Sequence, residues 1–483
     1  MQGMTRRSVL GGLAAGLAGS ALPVSVRAAA TGAMAAQAAD LIRAAGLGGK
    51  VSYVVADAAT GLVLEARDAD QPMPPASTAK VATSLYALNH LGAKHRFATR
   101  LIATGPVSGG LIQGDLILAG GGDPTLSTDN LGDMARNLAR QGVRGVTGRY
   151  MVWGGALPYI EAIDTTQPAW LGYNPSVSGL NLNFNRVNFV WKRAGGGYEV
   201  GMDARAERYA PKVYTAKVQI ADRDLPVYSY HMGKVEEWTV ARRALGKGGS
   251  RWLPVRRPEL YAGDVFQTLA RAEGVPLPMP EVAKSLPGGA VLVEVRSDEL
   301  PVLLRDMMKF STNMTAEAVG MAASLKRGVS GHTASGREMS GWIASEAQAR
   351  TARFADHSGL AGASRISAGD MVRVLTGPGR HVGIGALMKD VAFKDEAGKT
   401  IKGHPVQVKA KTGTLNFVST LAGYMRAPGG NELAFAIFTG DVARRDAVPD
   451  ARKEQPEGGR DWIRRSKRLQ QQLIERWAAV YQA

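Results

Sequence analysis

The 483-residue chain contains no cysteine. That excludes disulfides and thiolate metal sites, and leaves no thiol exposed to an oxidising compartment. Histidine is scarce as well. The seven residues His90, His95, His231, His332, His357, His381 and His404 are scattered without a His-Glu-x-x-His arrangement, which makes a metal hydrolase a weak reading. No cofactor motif and no recognised nucleic-acid motif is present, and beyond the N-terminus no apolar run reaches the ~20 residues of a bilayer span. Acidic residues are short relative to basic ones, 42 Asp and Glu against 59 Lys and Arg, for a formal charge of +17. For an exported protein, anionic cell-wall polymers or a membrane surface fit that charge better than nucleic acid does.

Export is read from the start of the chain. Thr5-Arg6-Arg7-Ser8-Val9-Leu10 precedes a run of small and apolar residues to Val26, and Val26-Arg27-Ala28 offers a small-residue cleavage site. The paired arginines resemble a twin-arginine signal, so residues 1–30 are expected to be an export signal and the mature protein to be periplasmic. Removal of Arg6, Arg7 and Arg27 lowers the net charge by three.

Three short motifs carry the chemistry. Ser77-Thr78-Ala79-Lys80 follows Pro72, Pro74 and Pro75, and Ala76 to Leu91 contains no Gly or Pro, which predicts a helix starting near Ser77. Residues three apart share a helix face, so the Lys80 amine falls beside the Ser77 hydroxyl. A hydroxyl needs a neighbour to accept its proton as it attacks a carbonyl. Lys80 serves only when neutral, and a second cation from Lys411 together with burial is expected to lower its pKa. Ser311 and Asn313, two apart between helical segments, offer a hydroxyl to relay a proton and an amide to orient a carbonyl or the lysine. Lys411-Thr412-Gly413 lies in Val406 to Leu415, which alternates like a strand, with Thr414 supplying a backbone N–H to an oxyanion. Taken singly, each motif is more often a helix cap, a turn or a solvated strand than a catalytic element.

In this order the three resemble the S-x-x-K, S-x-N and K-T-G elements of the penicillin-interacting serine enzymes. Asp115 to Leu126, with Gly120-Gly121-Gly122-Asp123, and Leu180-Asn181-Leu182-Asn183-Phe184-Asn185 extend the likeness. The chain resembles the low-molecular-mass class C penicillin-binding proteins, D-alanyl-D-alanine carboxypeptidases and endopeptidases of serine peptidase family S13. The resemblance implies an α/β penicilloyl-serine transferase (β-lactamase-like) catalytic domain, an antiparallel sheet flanked by helices and interrupted by a large β-rich insertion of two nested domains. It implies Ser77 as nucleophile, Lys80 as base, Ser311 and Asn313 as relay and orienting pair, and Lys411 as the carboxylate-side cation. Thr412, Gly413 and Thr414 would bind substrate. Peptidoglycan stem peptides would be substrates and β-lactams covalent inhibitors, without a cofactor, metal or nucleic acid. One stretch departs from the family: Asp-Gly-Ser-Gly-Leu followed by Ser-Arg and an Asn is replaced by Asp356-His357-Ser358-Gly359-Leu360 and a shifted Ser364-Arg365, with Ser367 in place of the Asn. His357 is expected to be a loop residue without a chemical role.

The gap of more than 200 residues between the first two motifs is too long for a loop. The expected division is 31–97 and 294–483 for the catalytic domain, 98–122 and 189–293 for the first inserted domain, and 123–188 for a second nested within it. Lys50 to Arg67 reads as a hairpin, Thr420–Met425 and Glu432–Phe438 as strands, and Asp441 to Gly459 as a connection without chemistry. In the last helix Trp462, Leu469, Leu473 and Trp477 trace one apolar face among arginines, which packs on the body or meets a membrane or partner. Two rival functions share these features: a serine β-lactamase or esterase of the same fold, distinguished by rapid deacylation, and a noncatalytic wall-binding protein that fails to acylate.

Overall fold

In the strand Glu432–Gly440 the odd-numbered Leu433, Phe435 and Ile437 pack into one apolar cluster and the even-numbered Ala434, Ala436 and Phe438 into another. A strand covered on both faces requires such a continuous apolar run. The computed structural model describes residues 37–481, so the expected export signal lies outside the described residues. Among them, Glu432–Gly440 is central to an antiparallel sheet ordered Lys389–Asp390, Gln407–Leu415, Val418–Arg426, Glu432–Gly440, Lys50–Asp57 and Val63–Arg67. The two strands at the beginning of the described chain thus close onto its last strand.

The even-numbered face packs on helices Ala79–Leu91, Leu300–Phe310, Asn313–Lys326 and His332–Ala347. The other face is covered by the terminal helix Gly459–Val480, whose Trp462, Leu469, Leu473 and Trp477 are fully buried against Val408, Phe435 and Ile437. At ~1.5–3 kcal/mol for each large apolar side chain buried, that stripe is committed to the body and is not available to a membrane. Arg464, Lys467 and Arg468 stay exposed on the helix's outer side. No helix among the described residues is long and apolar enough to cross a membrane.

Residues between 98 and 296 form the insertion. Its main sheet is ordered Pro280–Val282, Tyr150–Trp153, Leu116–Gly120, Ala98–Ala103 and Ala290–Arg296, with helices Thr128–Arg140 and Pro258–Ala272 packed on it. Two three-stranded sheets follow, built from Arg186–Ala194, Gly197–Asp203 and Gly248–Pro254, and from Ala216–Ala221, Tyr228–Met232 and Glu236–Ala241. The strand Tyr150–Trp153, expected in a nested unit over 123–188, pairs in parallel with Leu116–Gly120 on the other side of that boundary. One apolar cluster runs from Leu101 to Val293 and includes Phe189 and Trp238. The shared core follows from this pairing, because strands in one sheet bury their side chains against the same helices.

Candidate active site

The Ser77-Thr78-Ala79-Lys80 motif sits on a strained turn. After the proline approach, Ala76–Thr78 forms one turn of 3-10 helix that leads into the α-helix Ala79–Leu91. Ala76 has φ +46°, a conformation that costs a non-glycine residue ~1–3 kcal/mol and persists where the surroundings enforce it. The enforcing contacts are visible. Thr78 Oγ1 donates to the Pro75 carbonyl at 2.6 Å, and Thr420 Oγ1, from the neighbouring sheet strand, donates to the same oxygen at 2.7 Å. Gly413 lets the strand come this close: a Cβ there would lie 2.2 Å from Thr420 Oγ1 and 2.9 Å from Ala76 Cβ.

Lys80 is fully buried and makes three hydrogen bonds. Its Nζ donates to Ser77 Oγ at 3.0 Å, to Asn313 Oδ1 at 2.7 Å and to the Ser358 carbonyl at 2.9 Å. Burial pushes its pKa down to about 8, against the opposing pull of the Glu317 and Asp356 carboxylates. The sequence-based expectation had credited Lys411 with part of this depression. The repulsion between the two lysines is mutual, and Lys411 too is held well below the ordinary lysine range, by burial, then the Lys80 charge and then Lys389.

Ser311 caps the helix Leu300–Phe310 in the left-handed region at φ +60°, and its Oγ accepts from Lys411 Nζ at 2.9 Å. Lys411 also donates to the Thr412 carbonyl at 2.7 Å. Asn313 opens the next helix, so a single turn of backbone hands Ser311 to one lysine and Asn313 to the other. The partner strand Lys389–Asp390 pairs with Ala410 and Lys409, so Lys411–Leu415 is unpaired on that edge among the described residues. An unpaired strand edge is a template for an extended peptide.

Sequence reasoning missed a carboxylate beneath the site. Glu317 lies four residues after Asn313, on the same helix face, and that spacing was the available signal. It is fully buried, and its oxygens accept the backbone N–H groups of His357 at 3.0 Å and Ser358 at 2.8 Å. His332 Nε2 meets it at 2.9 Å. Burial works against ionising Glu317, yet the hydrogen bond and charge from His332 hold its pKa below the usual carboxylate range. Burial likewise opposes charge on His332, and the bond to Glu317 outweighs it, raising the His332 pKa. Asp356 anchors the same loop, accepting from Ser364 Oγ at 2.7 Å and the Ala361 N–H at 2.8 Å.

His357 is a core residue. Its ring is within 2.6 Å of Ser335 Oγ and stacks on Tyr86, and burial lowers its pKa to about 4. Its hydrogen bonds among the described residues go to the core and to Glu317, with none to Ser77. Ser367, at the position of the missing Asn, caps the helix Ala368–Val374 by accepting from the Asp370 N–H at 3.1 Å.

Ser77, Ser311, Asn313 and Thr414 open into a cleft of about 900 Å³. Thr412 and Gly413 line a separate cavity behind the strand edge. The cleft's far walls were not foreseen. The insertion supplies Gln167 and Tyr173, and the Tyr173 carbonyl accepts from Asn313 Nδ2 at 2.9 Å. The stretch expected to be a bare connection supplies Arg445 and Glu454. Glu454 accepts from Trp170 Nε1 at 2.8 Å and from Arg251 at 2.7 Å, which fastens the connection to the insertion.

A strained serine turn, a buried lysine whose pKa is brought down to about 8 and an unpaired strand edge across the cleft define a serine acyl-transfer enzyme of the penicilloyl-serine transferase fold. The family model of the D-Ala-D-Ala carboxypeptidase 3 (S13) family matches residues 34–457, and the chain belongs to that family. It is 28% identical to the D-alanyl-D-alanine carboxypeptidase of Actinomadura sp. (strain R39) over 434 residues, spanning 81% of this chain and 78% of the relative. It is 26% identical to D-alanyl-D-alanine carboxypeptidase DacB of Haemophilus influenzae, spanning 77% of this chain and 82% of that one. The crystal structure of penicillin binding protein 4 from Haemophilus influenzae superposes with a TM-score of 0.73 at 20% identity, over 90% of this chain and 99% of the other, which shows the fold. The protein is accordingly a serine-type D-Ala-D-Ala carboxypeptidase/endopeptidase of peptidoglycan.

Proposed function

We propose that Ser77 is the nucleophile that opens the D-Ala carbonyl of peptidoglycan peptides and that Lys80 is its base. The carrying observation is the 3.0 Å contact between Lys80 Nζ and Ser77 Oγ, made by an amine whose pKa is brought down to about 8. An amine near neutrality is suited to take a proton and return it within one turnover.

In this reading the substrate lies along the unpaired edge of Lys411–Leu415, with its carboxylate near Lys411 and Thr412 and Gly413 allowing close approach. Ser77 Oγ attacks, its proton moves to Lys80, and the backbone N–H groups of Ser77 and Thr414 hold the oxyanion. Collapse breaks the amide C–N bond, and the departing amine takes the proton from Lys80 directly or through Ser311. Asn313 holds Lys80 in place throughout. Water then cleaves the Ser77 ester. A β-lactam enters by the same attack, and its ester survives where water reaches it slowly. Intact-mass analysis after β-lactam exposure tests this: a persistent one-to-one adduct on Ser77 is expected. An adduct elsewhere, or none, overturns the assignment, and fast turnover of the drug points to the β-lactamase reading.

We further assign export to the twin-arginine-like segment around Arg6 and Arg7, delivering the enzyme to the periplasm. The exposed arginines and lysines of the terminal helix are the basic surface offered to anionic wall polymers or lipid. Replacing Arg6 and Arg7 by Lys is expected to leave the protein unexported, as read by cell fractionation.

A further inference from the structure

Glu317 is a carboxylate sealed inside the protein, and a buried charge needs an opposite charge close by to stay ionised. Two cations are placed to supply it. Lys80 is tied to Glu317 through the Ser358 peptide, whose N–H donates to Glu317 Oε1 at 2.8 Å and whose carbonyl accepts from Lys80 Nζ at 2.9 Å. His332 Nε2 lies directly against the other carboxylate oxygen, Oε2, at 2.9 Å. The cluster is closed except at one point. Lys80, Glu317, Asp356 and His357 are fully buried, whereas the His332 side chain keeps 14% of its surface exposed and can exchange a proton with solvent.

The two cations are not equivalent. Were Lys80 the sole countercharge, the buried Glu317 would hold it as an ammonium, unable to take the proton of Ser77. A countercharge from His332 removes that demand. Its own position gives His332 little other reason to be charged, since it is the first residue of the helix His332–Ala347, where the backbone dipole disfavours a cation. Burial disfavours the charge further, and the bond to Glu317 outweighs burial and raises the His332 pKa. Around His332 the charged and titratable groups are Glu317 on the helix Asn313–Lys326 and Asp356 and His357 on the adjoining loop. Around Lys80 they are the same two carboxylates and, from the strand Gln407–Leu415, Lys411.

We propose that His332 is a positioning residue for the acyl transfer: its imidazolium neutralises the buried Glu317 carboxylate and so leaves Lys80 free to stand uncharged beside Ser77. The inference rests on the reading of Lys80 as the base. His332 acts through Glu317 and the Ser358 peptide rather than on Ser77, and this route fixes the sign. Losing the His332 charge leaves the pull of Glu317 on the Lys80 ammonium unopposed, so Lys80 gives up its proton at higher pH; losing the Glu317 charge does the reverse.

The test follows the rate constant for Ser77 acylation by a fluorescent β-lactam from pH 6 to 10 in the full-length mature protein. His332→Gln keeps a side-chain N–H for Glu317 and removes the charge. Its rising limb is expected ~1 pH unit above that of the wild type, which makes acylation about tenfold slower at pH 7. His332→Lys, charged across the whole range, is expected to keep the limb at or below the wild-type pH. In a Glu317→Gln background, His332→Gln is expected to leave the limb where it is, since no carboxylate remains to neutralise. A limb unmoved by His332→Gln, with only the plateau or the melting temperature reduced, overturns the proposal, and so does an equal shift with and without Glu317. Histidine-selective NMR on the wild type reads the ring directly. Titration above an ordinary histidine, falling back in Glu317→Gln, is expected; titration at or below the ordinary range overturns the proposal whatever the variants do. A wild-type profile without a limb instead removes Lys80 as the base, and this inference with it.

Discussion

Asn313 spans two bodies of the protein: its side-chain nitrogen donates to the Tyr173 carbonyl at 2.9 Å while its side-chain oxygen accepts from Lys80 at 2.7 Å. The insertion thereby touches Lys80 through one amide. Asn313→Asp keeps the shape, places a carboxylate beside Lys80 and turns the donor facing Tyr173 into a repelling acceptor. Acylation by a fluorescent β-lactam is expected to slow ~10²-fold, and its pH limb to move upward because the new charge favours the ammonium. A variant that acylates at the wild-type rate refutes the role given to this amide.

The proton path has a pH signature. Neutral Lys80 is the accepting form, its fraction grows as pH rises, and its pKa is about 8. The acylation rate constant is therefore expected to climb through pH 7 and level off above about pH 8 to 9, measured by stopped-flow fluorescence on Ser77. A flat profile from pH 6 to 9 removes Lys80 as the base, and Lys80→Gln is expected to abolish the limb together with most of the rate.

Glu317 acts on that lysine at one remove, through the loop that presents the Ser358 carbonyl and through its charge. Glu317→Gln leaves a single side-chain oxygen for three donors, at a cost of ~1–3 kcal/mol in stability. Because the Glu317 carboxylate favours the charged form of Lys80, its removal is expected to shift the acylation limb to lower pH. A variant with a lowered melting temperature and an unmoved limb assigns Glu317 to structure alone.

Gly320 separates two opposing effects. In an ordinary helix interior a Gly→Ala change stabilises by ~1 kcal/mol, but a Cβ here would lie 2.2 Å from His357 Cγ, and overpacking costs ~1–3 kcal/mol. The clash is expected to win, so Gly320→Ala lowers the melting temperature in calorimetry. A stabilised variant shows that the His357 ring can move aside.

Gly413→Ala is expected to damage the reaction more than the fold. The added Cβ pushes on the Pro75–Ala76 turn that carries Ser77, and a displacement of the order of 1 Å costs ~10²-fold in rate. Comparing acylation rate with melting temperature checks it: parallel, modest losses in both contradict a direct effect on the turn.

Local patterns made the catalytic half legible. The proline approach to Ser77, the alternation through Lys411 and the hairpin at Thr60-Gly61 are written in short windows, and the strands and helices fall where those windows place them. The insertion was harder, because the pairing of Tyr150–Trp153 with Leu116–Gly120 joins strands across a helix that short β-like runs and glycine turns had obscured. Partners brought together only by tertiary packing were also silent in sequence. Glu454 on Arg251 and Trp170, and Tyr173 on Asn313, leave no periodicity to read. The apolar stripe of the terminal helix was legible as a stripe, and the cover it required, Phe435 and Ile437, became evident only in the folded sheet.

The docking of Lys50–Asp57 onto Glu432–Gly440 has a temporal meaning. While the chain is being made, the segment bearing Ser77 and Lys80 emerges early, but Lys411, the strand edge that would receive a peptide and the wall built around Glu454 all emerge in the final quarter. A nascent or truncated chain accordingly holds a serine without a hydrolase.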